Sequence, residues 1–207
     1  MSGRRVRLLA DTSRTFCGHV RLDDRNVSAM SDMTHFDDIY NIAADGYGIV
    51  TAAQAQEAGV APSELNRWCA DGRLVRRGHG VYKLARWVPT PYDQYAEAVA
   101  LVGKGSYLWG QSVLAMHGLA LVDPRAIEVA TPRRVRRRLP AWVEPVAAPK
   151  GERATLYEGI PSQRVADAIE TCMRSVMPGR LREAAKQARE AGLVTADEYD
   201  RLEKELA

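Results

Sequence analysis

The sequence of 207 residues predicts an α+β fold with two folded parts, and two observations carry this prediction. Residues 34–86 show helical patterns followed by a β-hairpin pattern, whereas residues 91–207 mix helical patterns with short apolar strand patterns. The proline-marked segment WVPTP lies between these parts and predicts a linker. Apolar residues make up 46% and charged residues 27% of the chain, which is the ordinary composition of a globular protein.

The first part predicts three helices and a hairpin. Thr34 is a candidate N-cap for the first helix, whose apolar side chains recur at helical spacing. Thr51 forms a predicted capping box with Gln54 at the start of the second helix. A tight turn leads to a third helix from Pro62, a residue suited to the first helical turn. Residues 73–84 then predict two strands joined at the turn sequence Gly-His-Gly.

The second part predicts a small sheet among helices, with three helices at its C-terminal end. The pattern of residues 92–103 predicts a helix with one apolar face, formed by Tyr92, Tyr95, Ala96, Val99 and Ala100. The other segments predicted are a short helix over 110–117, strands over 127–131, 142–146 and 155–159, and helices beginning near Val165, Pro178 and Thr195.

Residues 1–33 differ from the rest of the chain. They are rich in Arg, Ser and Asp and have no sustained periodicity. We expect a disordered leader, or a start codon assigned too early, because Met30 and Met33 come just before the first convincing helix. A basic arm that binds nucleic acid is the alternative.

Composition excludes several classes of protein. No segment approaches the roughly 18 consecutive apolar residues that a membrane span requires. The basic N-terminus lacks an apolar segment of the length that a secretory signal needs. Cys17, Cys69 and Cys172 lie far apart and form no CxxC pair, which argues against a disulfide framework or a zinc site and indicates a reducing compartment. We therefore expect a cytoplasmic protein without metal or cofactor.

The element order of residues 34–86 is that of a winged helix-turn-helix. In such a unit the second helix of the pair fits the major groove of DNA, and the hairpin reaches the backbone or the minor groove. With Leu65, Trp68 and Cys69 turned inward, the other face of the third helix is free to bind DNA. We expect these residues to form the DNA-binding surface: Thr51, Pro62, Ser63, Asn66, Arg67, Arg76, Arg77 and His79.

A second cationic segment lies between two predicted strands and is the densest charge in the chain. It is expected to project as a loop that binds phosphate or an acidic partner, or to serve only solubility, partly paired with Glu128 and Glu144. Its five arginines are Arg133, Arg134, Arg136, Arg137 and Arg138.

Residue patterns typical of enzymes are absent from the sequence. The four histidines do not fall at metal-ligand spacing, and Ser112 is not in a GxSxG motif. His117 is expected to end a helix rather than act as a base, and no phosphate-binding glycine motif is present. We therefore expect no catalytic residues.

Several phrases of the sequence resemble one family, the AbiEi-type antitoxins. In the first part, the matching phrases are GxVT, AxxxGV, GRLVRR and GVY, within GIVTAAQAQEAGVAPSELNRWCADGRLVRRGHGVYKL. Farther along, the phrases LWGQSVLAMHGL, IEVATPRRVRRR and YEGIPSQRVADAIE are similar to the second domain of such proteins. The resemblance spans about residues 36–190 and implies a winged helix over 34–86 and an α+β antitoxin domain over 91–207.

The resemblance also implies a function. It implies the antitoxin of a type IV-like toxin–antitoxin system, which binds inverted repeats in its own promoter and represses transcription. The toxin of that family is a nucleotidyltransferase, which several antitoxins counter without a stable complex. The nuclease domain that some relatives carry is not expected here, because acids and bases alternate in the last predicted helix. A solitary regulator, or an adaptor whose winged helix binds a protein, is the alternative.

Overall fold

The computed structural model describes residues 24–151 and 154–207, with side chains from His35 onwards. Contacts divide the chain into two compact units, Met1–Thr34 and His35–Ala207. The described residues of the first unit, 24–34, are helical. The leader predicted over 1–33 therefore falls mostly on residues outside the described part of the chain.

Three helices and a three-stranded antiparallel sheet form the first part of the fold. Their order is α1 Asp24–Asp45, β1 Ile49–Thr51, α2 Ala52–Glu57, α3 Pro62–Ala70, β2 Leu74–Gly78 and β3 Val81–Leu84. Strand β3 lies between β1 and β2, so the predicted hairpin gains a third strand. Helix α1 begins at Asp24, ten residues before Thr34, so the prediction that Thr34 is its N-cap is wrong. Periodicity did not detect the first part of the helix because the residues upstream of Thr34 carry no apolar stripe.

Burial of one face of each helix holds this part together. Leu65 and Trp68 of α3 are 1% and 0% exposed, and they pack with Ile39 of α1 and Tyr82 of β3. The ring of Phe36 meets Trp68 edge to face, with 5.3 Å between ring centroids. Helix α3 is therefore fixed by the side chains on its inner face.

The second part contains a mixed five-stranded sheet in the order β6-β5-β4-β8-β7. Helices α4 and α5 contact the sheet, and α6 contacts α7 and α8. The elements are α4 Asp93–Val102, β4 Tyr107–Leu108, α5 Gln111–Met116, β5 Ile127–Thr131, β6 Val143–Ala147, β7 Thr155–Tyr157, β8 Ile160–Ser162, α6 Val165–Thr171, a 3₁₀ turn Cys172–Arg174, α7 Pro178–Glu190 and α8 Ala196–Glu205. The α+β fold class is thus confirmed.

The predicted strand over 155–159 is shorter in the structure and belongs to a hairpin. Glu158 and Gly159 have φ values of 49° and 75°, which a type I′ turn requires and which glycine adopts without strain. The chain then returns as β8, which is antiparallel to β7 and parallel to β4. Strands β4 and β8 were not predicted, because two or three residues are too few to show alternation.

Aromatic side chains connect the first part of the fold to the second. Tyr47, which follows α1, donates a hydrogen bond from its hydroxyl to the Glu158 carbonyl oxygen at 2.5 Å. Its ring meets Tyr92 edge to face, and Tyr92 meets Tyr157 in the same way. The centroids of the His117 and Tyr157 rings lie 4.0 Å apart.

Within residues 24–151 and 154–207, no helix is long and apolar enough to cross a membrane.

The half-buried side chain of His117 predicts a pH-dependent stability. Burial lowers the pKa of His117 from 6.5 to about 4, so the unfolded chain binds this proton at a higher pH than the folded chain does. The free energy of unfolding should therefore be highest above about pH 6.5 and decrease as the pH falls towards about 4. Urea unfolding across this range measures the effect.

His117→Phe keeps an aromatic ring beside Tyr157 and should remove this component of the acid sensitivity. His79→Gln, at an exposed histidine, should retain it. Equal acid sensitivity in the wild-type chain and in His117→Phe would show that His117 does not titrate as expected.

Candidate nucleic-acid interface

Helix α3 presents a polar face on the side opposite its buried residues. Pro62 occupies the first helical turn, where its missing N–H is not needed for an intrahelical bond. Leu65 and Trp68 are buried and Cys69 is half-buried, as predicted. The outward positions are all exposed, which confirms that prediction: Pro62, Ser63, Asn66, Arg67 and Ala70.

A carboxylate organises the N-terminal end of α3. Glu64 accepts a hydrogen bond from the backbone N–H of Ala61 at 2.9 Å, and its other oxygen lies 3.0 Å from His35 Nδ1. The hydrogen bond with His35 lowers the pKa of the Glu64 carboxyl. The guanidinium of Arg67 lies 4.0 Å from the same carboxylate, one helical turn away. The role of Glu64 was not predicted from the sequence, although a glutamate at the third helical position is a capping signal.

The hairpin β2–β3 is the wing of this fold. It carries two adjacent arginines, which lie in different surroundings. Arg76 is paired across the hairpin with Tyr82, which belongs to the core beneath α3. Burial raises the pKa of the Cys69 thiol of α3, and the positive charge of Arg76 opposes part of this rise. Arg77 falls at a β-bulge, and its Nε donates to Glu97 of α4 at 2.7 Å. Arg76 thus lies on the α3 side of the wing, and Arg77 binds α4.

Thr51 and His79 lie near one another around the tip of the wing. The Thr51 hydroxyl accepts the Gln54 backbone N–H at 3.2 Å, which confirms the capping box and commits this side chain to the start of α2. The Ala52 N–H donates to the carbonyl of Gly80, so α2 begins directly at the wing tip. His79 is exposed, and with Thr51 it lines a cleft of about 660 Å³.

The arginine segment forms the loop between β5 and β6, as predicted. All five arginines are exposed, but Arg137 donates to the backbone carbonyls of Leu101 and Val102, at 2.7 and 2.8 Å, at the end of α4. Arg138 lines a cavity of about 280 Å³ together with Arg77 and His79. One end of the arginine loop therefore lies beside the wing tip.

Ser112 and Cys172, which carry the hydroxyl and thiol groups that nucleophiles use, both lie in the interior of the fold. The Ser112 hydroxyl accepts the backbone N–H of Glu128 at 2.7 Å and is fully buried. Burial raises the pKa of the Cys172 thiol to about 12, which makes it a poor nucleophile at neutral pH. In the part of the chain that the structure describes, no three His, Cys, Asp or Glu side chains are grouped to hold a metal ion.

Comparison with known proteins agrees with the resemblance. Residues 37–85 match the model of a family described as "Transcriptional regulator, AbiEi antitoxin". No curated protein matches the chain. A solved structure, the RV2827C protein from Mycobacterium tuberculosis, is similar at 16% identity with a TM-score of 0.41, over 82% of this chain and 71% of that one. The family match confirms the resemblance over residues 37–85 and supports a role in transcriptional regulation or as an antitoxin.

Proposed function

We propose that the chain is a transcriptional repressor that binds duplex DNA through α3 and the wing. The observation that carries this proposal is the exposed polar face of α3, which contacts β2, the strand of the wing that carries Arg76. An α-helix fits the width of the major groove. A cation on the adjoining hairpin can then reach the DNA phosphates that flank the groove.

The residues of this surface differ in what they offer to DNA. Asn66 has the amide that pairs with adenine, and Arg67 has the planar guanidinium that pairs with guanine or a phosphate. Ser63, Arg76 and His79 offer donors suited to phosphate oxygens. Pro62 and Thr51 support the proposal by shaping the starts of α3 and α2, which fixes where these helices begin beside the wing.

The arginine loop is proposed as a second phosphate contact on the same DNA. Arg138 and His79 line one cavity, which brings the loop next to the wing. Arg133, Arg134 and Arg136 extend the positive charge away from that cavity along the loop. Arg137 is occupied by the carbonyls at the end of α4 and supports the position of the loop.

Substitutions on the surface should separate base contacts from phosphate contacts. Asn66→Ala should reduce the preference for DNA from the chain's own promoter over a scrambled duplex, because a lost base contact costs about 1–3 kcal/mol. Arg76→Ala should weaken binding to both duplexes and reduce the slope of log K against log salt by about 1. Fluorescence anisotropy at several salt concentrations measures both quantities.

Lys186→Ala is the matched control, because this exposed cation lies on α7, away from the proposed surface. It should leave affinity and preference unchanged. If Asn66→Ala and Arg76→Ala bind both duplexes as the wild-type chain does, the proposed surface is not the DNA-binding surface. Retention by a protein partner at high salt would then favour the adaptor.

We also propose that this repressor acts in the cytoplasm as the antitoxin of a nucleotidyltransferase toxin and represses its own promoter. The support is the family match over residues 37–85 together with the resemblance of the second part of the chain.

Co-expression tests the antitoxin role. The protein encoded by the neighbouring reading frame should arrest growth when it is expressed alone, and this chain should restore growth. Asn66→Ala should still restore growth when the chain is expressed from an unrelated promoter, because repression is then not needed. Growth arrest that persists with this chain present would leave a solitary regulator.

A further inference from the structure

We propose that helix α4 positions the wing, and that Arg77 serves this attachment while Arg76 serves DNA. This inference rests on the proposed DNA-binding function and divides the work between two adjacent cations of the same wing. The evidence is a row of three side chains on α4, each in contact with the wing.

The row consists of Asp93, Glu97 and Leu101, which are spaced by four residues and therefore lie on one face of the helix. Asp93 accepts a hydrogen bond from Lys83 Nζ of β3 at 2.8 Å, and Glu97 accepts one from Arg77 Nε of β2 at 2.7 Å. Leu101 packs on the backbone at Gly78, where an added Cβ would come within 2.4 Å of its Cδ2 atom. The contacts run from the central strand β3, through β2, to the tip of the wing.

Both carboxylates of the row are buried, with Asp93 7% and Glu97 4% exposed. Burial would raise the pKa of the Asp93 carboxyl, but hydrogen bonds from Lys83, Thr90 and Trp87 lower it below its ordinary value. Two buried carboxylates one turn apart on a helix repel each other and destabilise the fold, and a cationic partner for each offsets this effect. The wing supplies both partners, so removing Arg77 leaves a buried charge without its counter-ion.

The β-bulge explains why neighbouring arginines reach different places. The pairing of Arg76 with Tyr82 is followed by pairing of Gly78 with Val81, which leaves Arg77 without a cross-strand partner. A bulge re-aims the side chain of the extra residue. Arg77 consequently meets α4, whereas Arg76 stays on the side of Tyr82 and α3.

Backbone hydrogen exchange without DNA tests the attachment itself. In Arg77→Ala and in Glu97→Gln, the amides of β2 and β3 should exchange faster than in the wild-type chain, because the ion pair no longer holds the wing. Arg77→Lys retains a cation for Glu97 and should restore most of the protection. Lys186→Ala, at an exposed cation on α7, is the control and should leave exchange in the wing unchanged. Exchange in Arg77→Ala equal to that of the wild-type chain would overturn the proposal.

Salt titrations of DNA binding test the division of roles. Arg77→Ala should bind roughly three- to tenfold more weakly with the same salt slope, since no phosphate contact is lost. Glu97→Gln should also bind more weakly, although losing a negative charge would by itself strengthen binding to DNA. A slope reduced by about 1 in Arg77→Ala, as in Arg76→Ala, would show that Arg77 contacts phosphate and would overturn the division.

The two experiments distinguish this inference from the function on which it rests. If the wild-type chain does not bind duplex DNA but the wing loosens in Arg77→Ala, the attachment is supported and the proposed function fails. The other outcome is that the wild-type chain binds DNA while Arg77→Ala exchanges like the wild-type chain and lowers the salt slope by about 1. In that case the attachment fails and the function stands.

Discussion

The structure of the candidate interface depends on the burial of one face of α3. Trp68 and Leu65 fill the space between α1 and the three-stranded sheet, and a helix of nine residues that buries this face must expose the opposite one. Ser63, Asn66 and Arg67 are exposed for that reason. Loss of the Trp68 ring would cost about 3–5 kcal/mol and would displace all three residues at once, although Trp68 does not itself face solvent.

The second constraint is electrostatic and joins the two halves of the fold. Buried carboxylates on α4 require cations, and the wing provides Lys83 and Arg77. The Tyr47 hydroxyl and the aromatic rings around Tyr92 connect the same halves elsewhere. The wing is therefore held by groups that lie outside the winged-helix segment, which makes its position relative to α3 a property of both halves.

The sequence predicted most of the elements but not their long-range contacts. The capping box at Thr51, the helix start near Thr195 and the exposed face of α3 are local features, and the structure confirms them. The apolar face predicted for α4 was only partly right, because Asp93 and Glu97 are buried while Tyr92 and Ala100 are half-exposed. Buried acids are not predictable from periodicity when their cationic partners lie ten and twenty residues away on a hairpin. The separate surroundings of Arg76 and Arg77 likewise depend on a bulge that alternation does not reveal.

A hydrogen-exchange footprint of the chain with and without duplex DNA from its own promoter shows directly which elements bind the duplex. DNA should slow exchange in α3 and in the segment around Arg76–His79 and leave α7 and α8 unchanged. Protection confined to α7 and α8, or absent from α3 while DNA is bound, would contradict the claim that α3 and the wing bind the duplex together.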